Sequence, residues 1–187
     1  SARVTPLGCR LLIERPGLGA RQMAVDETLL ETAAQTGLAT LRFYQWSEPT
    51  LSLGYFQALA ERRQHAASQT CTVVRRQTGG GAILHDRELT YSLALPCAHP
   101  LASDATSLYE AVHDALILVL ASNGLAARRL ATAGEVAATP PFLCFERRSV
   151  GDVLIADVKI CGSAQRRRRG AILQHGSLLL ARSPFAP

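Results

Sequence analysis

The residues best suited to chemistry fall in three places. The first is Arg75-Arg76-Gln77-Thr78-Gly79-Gly80-Gly81-Ala82-Ile83-Leu84-His85-Asp86, which holds three consecutive glycines between an arginine pair and a His-Asp step. Glycine loses the most backbone entropy on folding, so such a run belongs where φ > 0 or a close approach of backbone to a ligand is required. Arg76 offers a planar fork of donors suited to a carboxylate or phosphate. Neither familiar phosphate loop is present: no Lys-Ser/Thr follows the last glycine, and no G-x-G-x-x-G opens a helix. The segment reads as a loop for a small anionic or acyl ligand, with a structural hairpin bulge as the alternative.

The second place is Lys159 to Gln165. Lys159 is the only lysine of the chain, although the net charge is +5. A lone lysine among many arginines suits a role that needs a compact, tunable ammonium. On a strand, Lys159, Cys161 and Ser163 share one face and Ile160, Gly162 and Ala164 the other. A thiol beside an ammonium has a lowered pKa and becomes a better nucleophile. The third place is Cys144, which follows Pro140-Pro141 and precedes Phe145 in a loop-like stretch open to a substrate. Residue chemistry alone leaves Cys144 and Cys161 as equal candidates. His85 abuts the glycine loop, and His175 in Gln174-His175-Gly176-Ser177 reads either as a pocket residue or as a buried histidine with ordinary partners.

These segments need a scaffold. Cys71 to Val74 and Leu89 to Leu95 read as strands on either side of the glycine loop. Arg21 to Thr36 has helix-period apolar positions at Met23, Leu30 and Ala33 or Ala34, acids between them and Gly37 as a stop, so it reads as a surface helix. Leu41 to Trp46 and Leu51 to Gly54 read as a hairpin around Ser47-Glu48-Pro49-Thr50. Ser107 to Glu110 reads as a capping box, and the stripe Val112, Leu116, Val119, Leu120 continues the helix to Asn123-Gly124. Beyond a loop around Ala137 to Pro141, Val153 to Ala156, Lys159 to Gln165 and Ala171 to Leu180 form a meander with turns at Asp157 and near Gly170. Arg166 to Arg169 then projects from a hairpin end, as a solvated turn or as a patch for an acidic partner. Strands with helices interspersed singly fit α+β, a largely antiparallel or mixed sheet with packed helices, better than regular βαβ alternation.

Bulk properties narrow the class. With 187 residues the chain has the size of one domain, expected to span 1–187. A hydrophobic share of 48% and a charged share of 19% describe a globular protein, and no apolar run is long enough for a bilayer. No secretory signal is visible, although the chain begins at Ser1-Ala2 without Met, and the expected location is the cytoplasm. The cysteines, Cys9, Cys71, Cys97, Cys144 and Cys161, are odd in number and lack CxxC spacing, which argues against a disulfide framework or a zinc site. Single-strand nucleic-acid binding is not indicated, because aromatic and basic residues are not interleaved.

Met23 to Glu27, the Arg76 to Asp86 block, Lys159 to Gln165 and Gln174 to Leu179 together resemble, in order and separation, the lipoate and biotin protein ligase and transferase family. The resemblance implies a fold related to class II aminoacyl-tRNA synthetases and biotin ligases. It also implies two alternative chemistries. Ligases activate a free acid with ATP and Mg2+ to an acyl adenylate, whereas octanoyltransferases pass octanoate from acyl carrier protein through a cysteine thioester. Leu143-Cys144-Phe145 resembles the nucleophile motif of the octanoyltransferase type first known from Gram-positive bacteria. The other transferase type would have its cysteine before His175, where this chain has Ala171. The resemblance thus implies catalytic Cys144 and Lys159, with substrate bound by Arg76, Thr78, Gly79, Gly80, Gly81, Ala82, His85, Gly162, Ser163, Ala164 and His175, while Cys161 lines the pocket. No metal or cofactor is required by the transferase reading. The implied partners are octanoyl acyl carrier protein as donor and a lipoyl domain, such as the glycine-cleavage H protein, as acceptor, with neither nucleic acid nor membrane. Transferase relatives continue with helical sequence beyond the point matching Pro187, and many ligases add a C-terminal domain. A non-catalytic acyl-binding relative is the third reading.

Overall fold

The computed structural model describes residues 8–132 and 141–186, so the loop expected around Ala137 lies outside the described residues apart from Pro141. Ten strands and two helices follow in the order β1 (Cys9–Ile13), α1 (Gly19–Thr36), β2 (Ala39–Tyr44), β3 (Thr50–Leu53), β4 (Thr72–Arg75), β5 (Ile83–His85), β6 (Glu88–Pro96), α2 (Ala105–Ser122), β7 (Ala127–Arg129), β8 (Val153–Ile155), β9 (Val158–Arg168) and β10 (Ala171–Leu179). They build a seven-stranded sheet, order β1-β2-β6-β10-β9-β8-β7, and a three-stranded sheet, order β4-β3-β5. In the large sheet only β1 and β2 are parallel; in the small sheet β3 runs parallel to β4 and antiparallel to β5. The fold is α+β with a mixed sheet, as the sequence indicates.

The large sheet is covered on both faces. Leu29, Leu30 and Ala33 of α1 pack on Ala94, Ala171 and Leu173, while Leu108 of α2 packs with Ala39, Leu95 and Ile172. Neighbouring residues of a strand point to opposite faces, so Ala94 against Leu95 and Leu173 against Ile172 place the two helices on opposite sides. This explains why β6 and β10 are apolar without strict alternation. The small sheet has its own core, in which Leu51, Leu53, Cys71, Ala82 and Leu84 meet Phe142 and Leu143. No helix among the described residues is long and apolar enough to cross a membrane.

Several local expectations are corrected. Leu41–Trp46 and Leu51–Gly54 are not a hairpin: β2 pairs with β1 and β6, whereas β3 belongs to the small sheet. Trp46 bridges to Gly17 in parallel and Ser47 N–H donates to the Gly17 carbonyl, which carries the chain from one sheet to the other. Helix α1 is not simply a surface helix, because Gln22 and Asp26 lie on its buried face with Leu29, Leu30 and Ala33. Its stop is as expected: Gly37 has φ 73° and its N–H donates to the Ala33 carbonyl. Helix α2 is capped one turn earlier than Ser107, by Asp104, whose carboxylate accepts from Ser107 N at 2.7 Å. Val119, expected in the buried stripe, is 59% exposed. The arginine run is largely strand, with β9 reaching Arg168 and the turn confined to Arg169 (φ 47°) and Gly170 (φ 88°). Arg167 donates to the Ala102 carbonyl at 2.7 Å and Arg166 lies over the Tyr55 ring, so the run is partly anchored.

Candidate active site

The glycine loop follows β4 and is wound around Arg76. One guanidinium nitrogen donates to the Ser52 carbonyl (2.9 Å), the other to the carbonyls of Gly79 (2.7 Å) and Gly81 (2.6 Å). Burial, with a smaller push from Arg147, brings Arg76 down to about 10 against an opposing pull from Cys144. It remains a cation at neutral pH, and its donors organise the loop. Gly80 has φ 91°, a region glycine enters without cost. A Cβ on Gly54 would sit 2.1 Å from the Gly80 carbonyl oxygen, so two backbones meet there. Gly81 faces the Arg147 guanidinium, with a Cβ position only 2.8 Å from its Cζ.

Cys144 is attached to this loop by backbone. Ala82 N–H donates to the Phe142 carbonyl (3.1 Å) and Cys144 N–H to the Ala82 carbonyl (2.7 Å), a parallel bridge that ends in one 3-10 turn over Cys144–Glu146. The cysteine is half-buried. Lys159 Nζ lies 4.0 Å from its Sγ and 3.3 Å from its carbonyl oxygen. Nζ also lies 3.4 Å from the Arg147 carbonyl and 2.9 Å from Asp152 Oδ2, with which it forms a buried ion pair. Asp152, in turn, accepts from Ser149 N (2.7 Å) and the Tyr109 hydroxyl (3.3 Å).

A bulge decides which cysteine meets the lysine. Between Lys159 and Cys161, β9 takes two residues where β8 takes one, and Ile160 is the extra residue. An extra residue shifts the face parity of a strand. Lys159 consequently lies beside Gly162, where a Cβ would fall 2.7 Å from its Cε. Cys161 is buried, does not line the cavity, and its thiol is pushed up to about 12 by burial and the nearby Asp152 charge. The expectation that Cys161 lines the pocket is therefore corrected.

The histidines each bridge a hydroxyl and a second acceptor. His85 has Nε2 2.7 Å from Ser52 Oγ and Nδ1 2.7 Å from Glu88 Oε1, and its ring stacks on Trp46 at 3.8 Å. His175 has Nε2 2.5 Å from Thr78 Oγ1 and Nδ1 3.4 Å from Asp26 Oδ2. Asp26 also accepts from Arg42 (2.7 Å), Ser92 (2.7 Å) and Tyr44 (3.2 Å). Burial raises the Asp26 and Glu88 carboxyls, but His175 and Arg42 beside Asp26, and His85, Thr90 and Ser177 beside Glu88, outweigh it and hold both below their ordinary values.

These groups surround a cavity of about 270 Å³ between the two sheets. Its lining includes Cys144, Lys159, Arg76, Gly79, Gly80, His85, Gly162, Ser163, Ala164 and His175. Of the other expected residues, Thr78 lies behind His175, Gly81 against Arg147, and Ala82 in the small core, and none of these lines the cavity. Sequence reasoning passed over Asp152, Glu88, Ser52 and His113. Asp152 carries no local signal beyond preceding a strand, and a buried acid is recognised only by its partner. His113 donates to or accepts from Ser163 Oγ at 2.7 Å through Nε2, and Nδ1 meets the Gly151 carbonyl at 2.7 Å. Among the described residues no three metal-ligating side chains converge.

A glycine loop held on an arginine, a single lysine beside it and a mixed sheet covered by two helices define a catalytic domain of the lipoate and biotin ligase type. More particularly, the chain belongs to the lipoyl protein ligase A/B catalytic domain family, whose sequence model matches residues 19–183. It is 38% identical over 185 residues to octanoyltransferase LipM of Kyrpidia tusciae, covering 95% of this chain and 68% of that protein. It is 39% identical over 166 residues to octanoyltransferase LipM of Carboxydothermus hydrogenoformans, covering 87% of this chain and 61% of the relative. The chain therefore spans about two thirds of the length of these relatives. Among solved structures, lipoate-protein ligase A bound with ATP superposes with a TM-score of 0.70 at 27% identity, covering 95% of this chain and 68% of that one. A bipartite lipoate protein ligase from Thermoplasma acidophilum, described with its E2 lipoyl domain, gives 0.67 at 27% identity, covering 95% and 64%.

Proposed function

We propose that the protein transfers an octanoyl group from acyl carrier protein, through a thioester on Cys144, to a lysine of a lipoyl domain. The observation that carries this reading is the Cys144 thiol on the cavity wall, tied by backbone to the glycine loop and 4.0 Å from the only lysine. The relatives named octanoyltransferase support it. The Cys144 sulfur gives up its proton and attacks the donor's carbonyl carbon; the bond to the donor sulfur breaks, and the departing thiolate takes up a proton. The Lys159 ammonium beside Cys144 stabilises the charge on the carbonyl oxygen. The acceptor amine then attacks the acyl carbon, the bond to Cys144 Sγ breaks, and the amine's proton returns to sulfur. Arg76, Gly79 and Gly80 shape one wall of the acyl site, while Gly162 to Ala164, His85 and His175 line the rest. The cytoplasm, where carrier proteins and lipoyl domains are available, is the corresponding location.

The ligase alternative, which would use ATP and Mg2+, has no role for the Cys144 thiol, and the place of that thiol on the cavity wall 4.0 Å from Lys159 favours the transferase. Intact mass spectrometry after incubation with octanoyl acyl carrier protein, without ATP, tests the reading. The expected result is an octanoyl adduct absent from Cys144→Ala, removed by hydroxylamine and passed to a lipoyl domain. No adduct, with acylation of the lipoyl domain from free octanoate only when ATP and Mg2+ are supplied, makes the protein a ligase.

A further inference from the structure

A second cavity, of about 480 Å³, adjoins the first, and Ile83, Phe145 and Lys159 line both. Its floor is largely apolar, but Arg87, Arg148 and Arg182 also line it, against the carboxylates of Glu146 and Asp157. Arg148 is turned to the Asp157 carbonyl, whereas Arg87 and Arg182 enter no ion pair among the described residues.

One wall is β5, the outer strand of the small sheet. Ala82, just before it, directs both its N–H and its carbonyl to the 142–144 segment. Peptide groups two residues apart along a strand point to the same side, so the N–H and carbonyl of Leu84 face that side too. No backbone partner meets them among the described residues. The Leu84 side chain is packed in the core of the small sheet while the residue also lines the second cavity, and peptide groups in such a place call for a partner. This edge is suited to a ligand that brings both a donor and an acceptor.

We infer that the second cavity receives the phosphopantetheine arm on which the octanoyl thioester arrives, an inference that rests on the transferase reading. The acyl tail fills the first cavity and its carbonyl carbon must meet Cys144, so the donor sulfur and its arm leave past Lys159, where the second cavity begins. The arm is a flexible chain with two amides and a terminal phosphodiester. Its amides match the Leu84 edge, in the way an extended peptide adds to a sheet. Its phosphodiester matches the arginines, which form charge-assisted hydrogen bonds to phosphate.

The test compares octanoyl phosphopantetheine, octanoyl pantetheine and octanoyl-N-acetylcysteamine as donors, reading the initial rate of the Cys144 adduct by intact mass. The phosphorylated donor is expected to react about tenfold faster than the truncated one, the scale of a charge-assisted hydrogen bond. In an Arg87→Glu/Arg182→Glu variant that ratio is expected to fall to near one, the truncated donor serving as the fold control on the same protein. Equal rates with all three donors on the unaltered protein, or a variant that slows all three alike, overturns the inference. An adduct from none of them on the unaltered protein sinks the transferase reading itself, and ATP protecting the Leu84 amide from exchange would assign the cavity to a nucleotide instead.

Discussion

Removal of the Asp152 carboxylate separates the structural from the chemical role of Lys159. The pair is 2.9 Å apart with side chains 3% and 2% exposed, so neither charge is well hydrated. Breaking a buried ion pair from one side leaves an uncompensated charge and costs about 3 kcal/mol or more. In Asp152→Ala the ammonium keeps only the Cys144 and Arg147 carbonyls, at 3.3 and 3.4 Å. For a chain of this size about 3 kcal/mol corresponds to a fall in Tm of roughly 6–12 °C. Replacing both charges by apolar groups, Asp152→Leu with Lys159→Met, is expected to recover most of the loss, since buried pairs are often no more stable than well-packed hydrophobic residues. The recovered double variant should nevertheless form no octanoyl adduct, because the group beside Cys144 is gone. Thermal unfolding at pH 7, followed by circular dichroism, reads the first part and intact mass the second. A change under about 2 °C in Asp152→Ala, below the lower bound for a loss of 1 kcal/mol, would refute the claim that the pair is desolvated. So would a double variant as unstable as the single one.

Gly54→Ala places a methyl 2.1 Å from the Gly80 carbonyl and must displace the glycine loop; a loss of acylation rate of about tenfold or more is expected, since small misplacements near a reacting centre are costly. Cys161→Ala should retain adduct formation at a cost of about 1 kcal/mol in stability, measured by urea unfolding, and an adduct lost with Cys161 rather than Cys144 would reverse the assignment. Burial holds the His113 imidazole below its ordinary value. The unfolded chain then binds the proton more readily, so the stability this group contributes is present above the ordinary histidine value and is lost as pH falls from there through the lowered folded-state value. Denaturation in urea should show lower stability at pH 5 than at pH 7.5, by less in His113→Gln, and an unchanged difference in that variant would assign it to other groups.

Much of the scaffold was legible because its signals are local. Apolar spacing marked α1 and α2, Gly37 and Gly124 marked their ends, and the runs on either side of Gly79–Gly81 marked β4 and β6. Local signals failed where the partner was distant. Composition around Ser47–Thr50 announced a turn, but whether β2 and β3 pair depends on what else each can bury against, and each found better partners in a different sheet. Asp26 looked like a surface acid because its charge was visible and Arg42 and His175, which neutralise it, were not.

The sequence by itself determined the family and the α+β class and pointed to many of the residues that line the candidate site, because glycine spacing, a lone lysine and strand periodicity are properties of the chain. Which cysteine faces Lys159 was settled only in three dimensions. Strand periodicity places Cys161 on the Lys159 face and leaves it level with Cys144, but the bulge at Ile160 turns Cys161 inward to a core that raises its thiol to about 12. Cys144 reaches the lysine instead through the bridge between Leu143 and Ala82, a contact that no local pattern encodes.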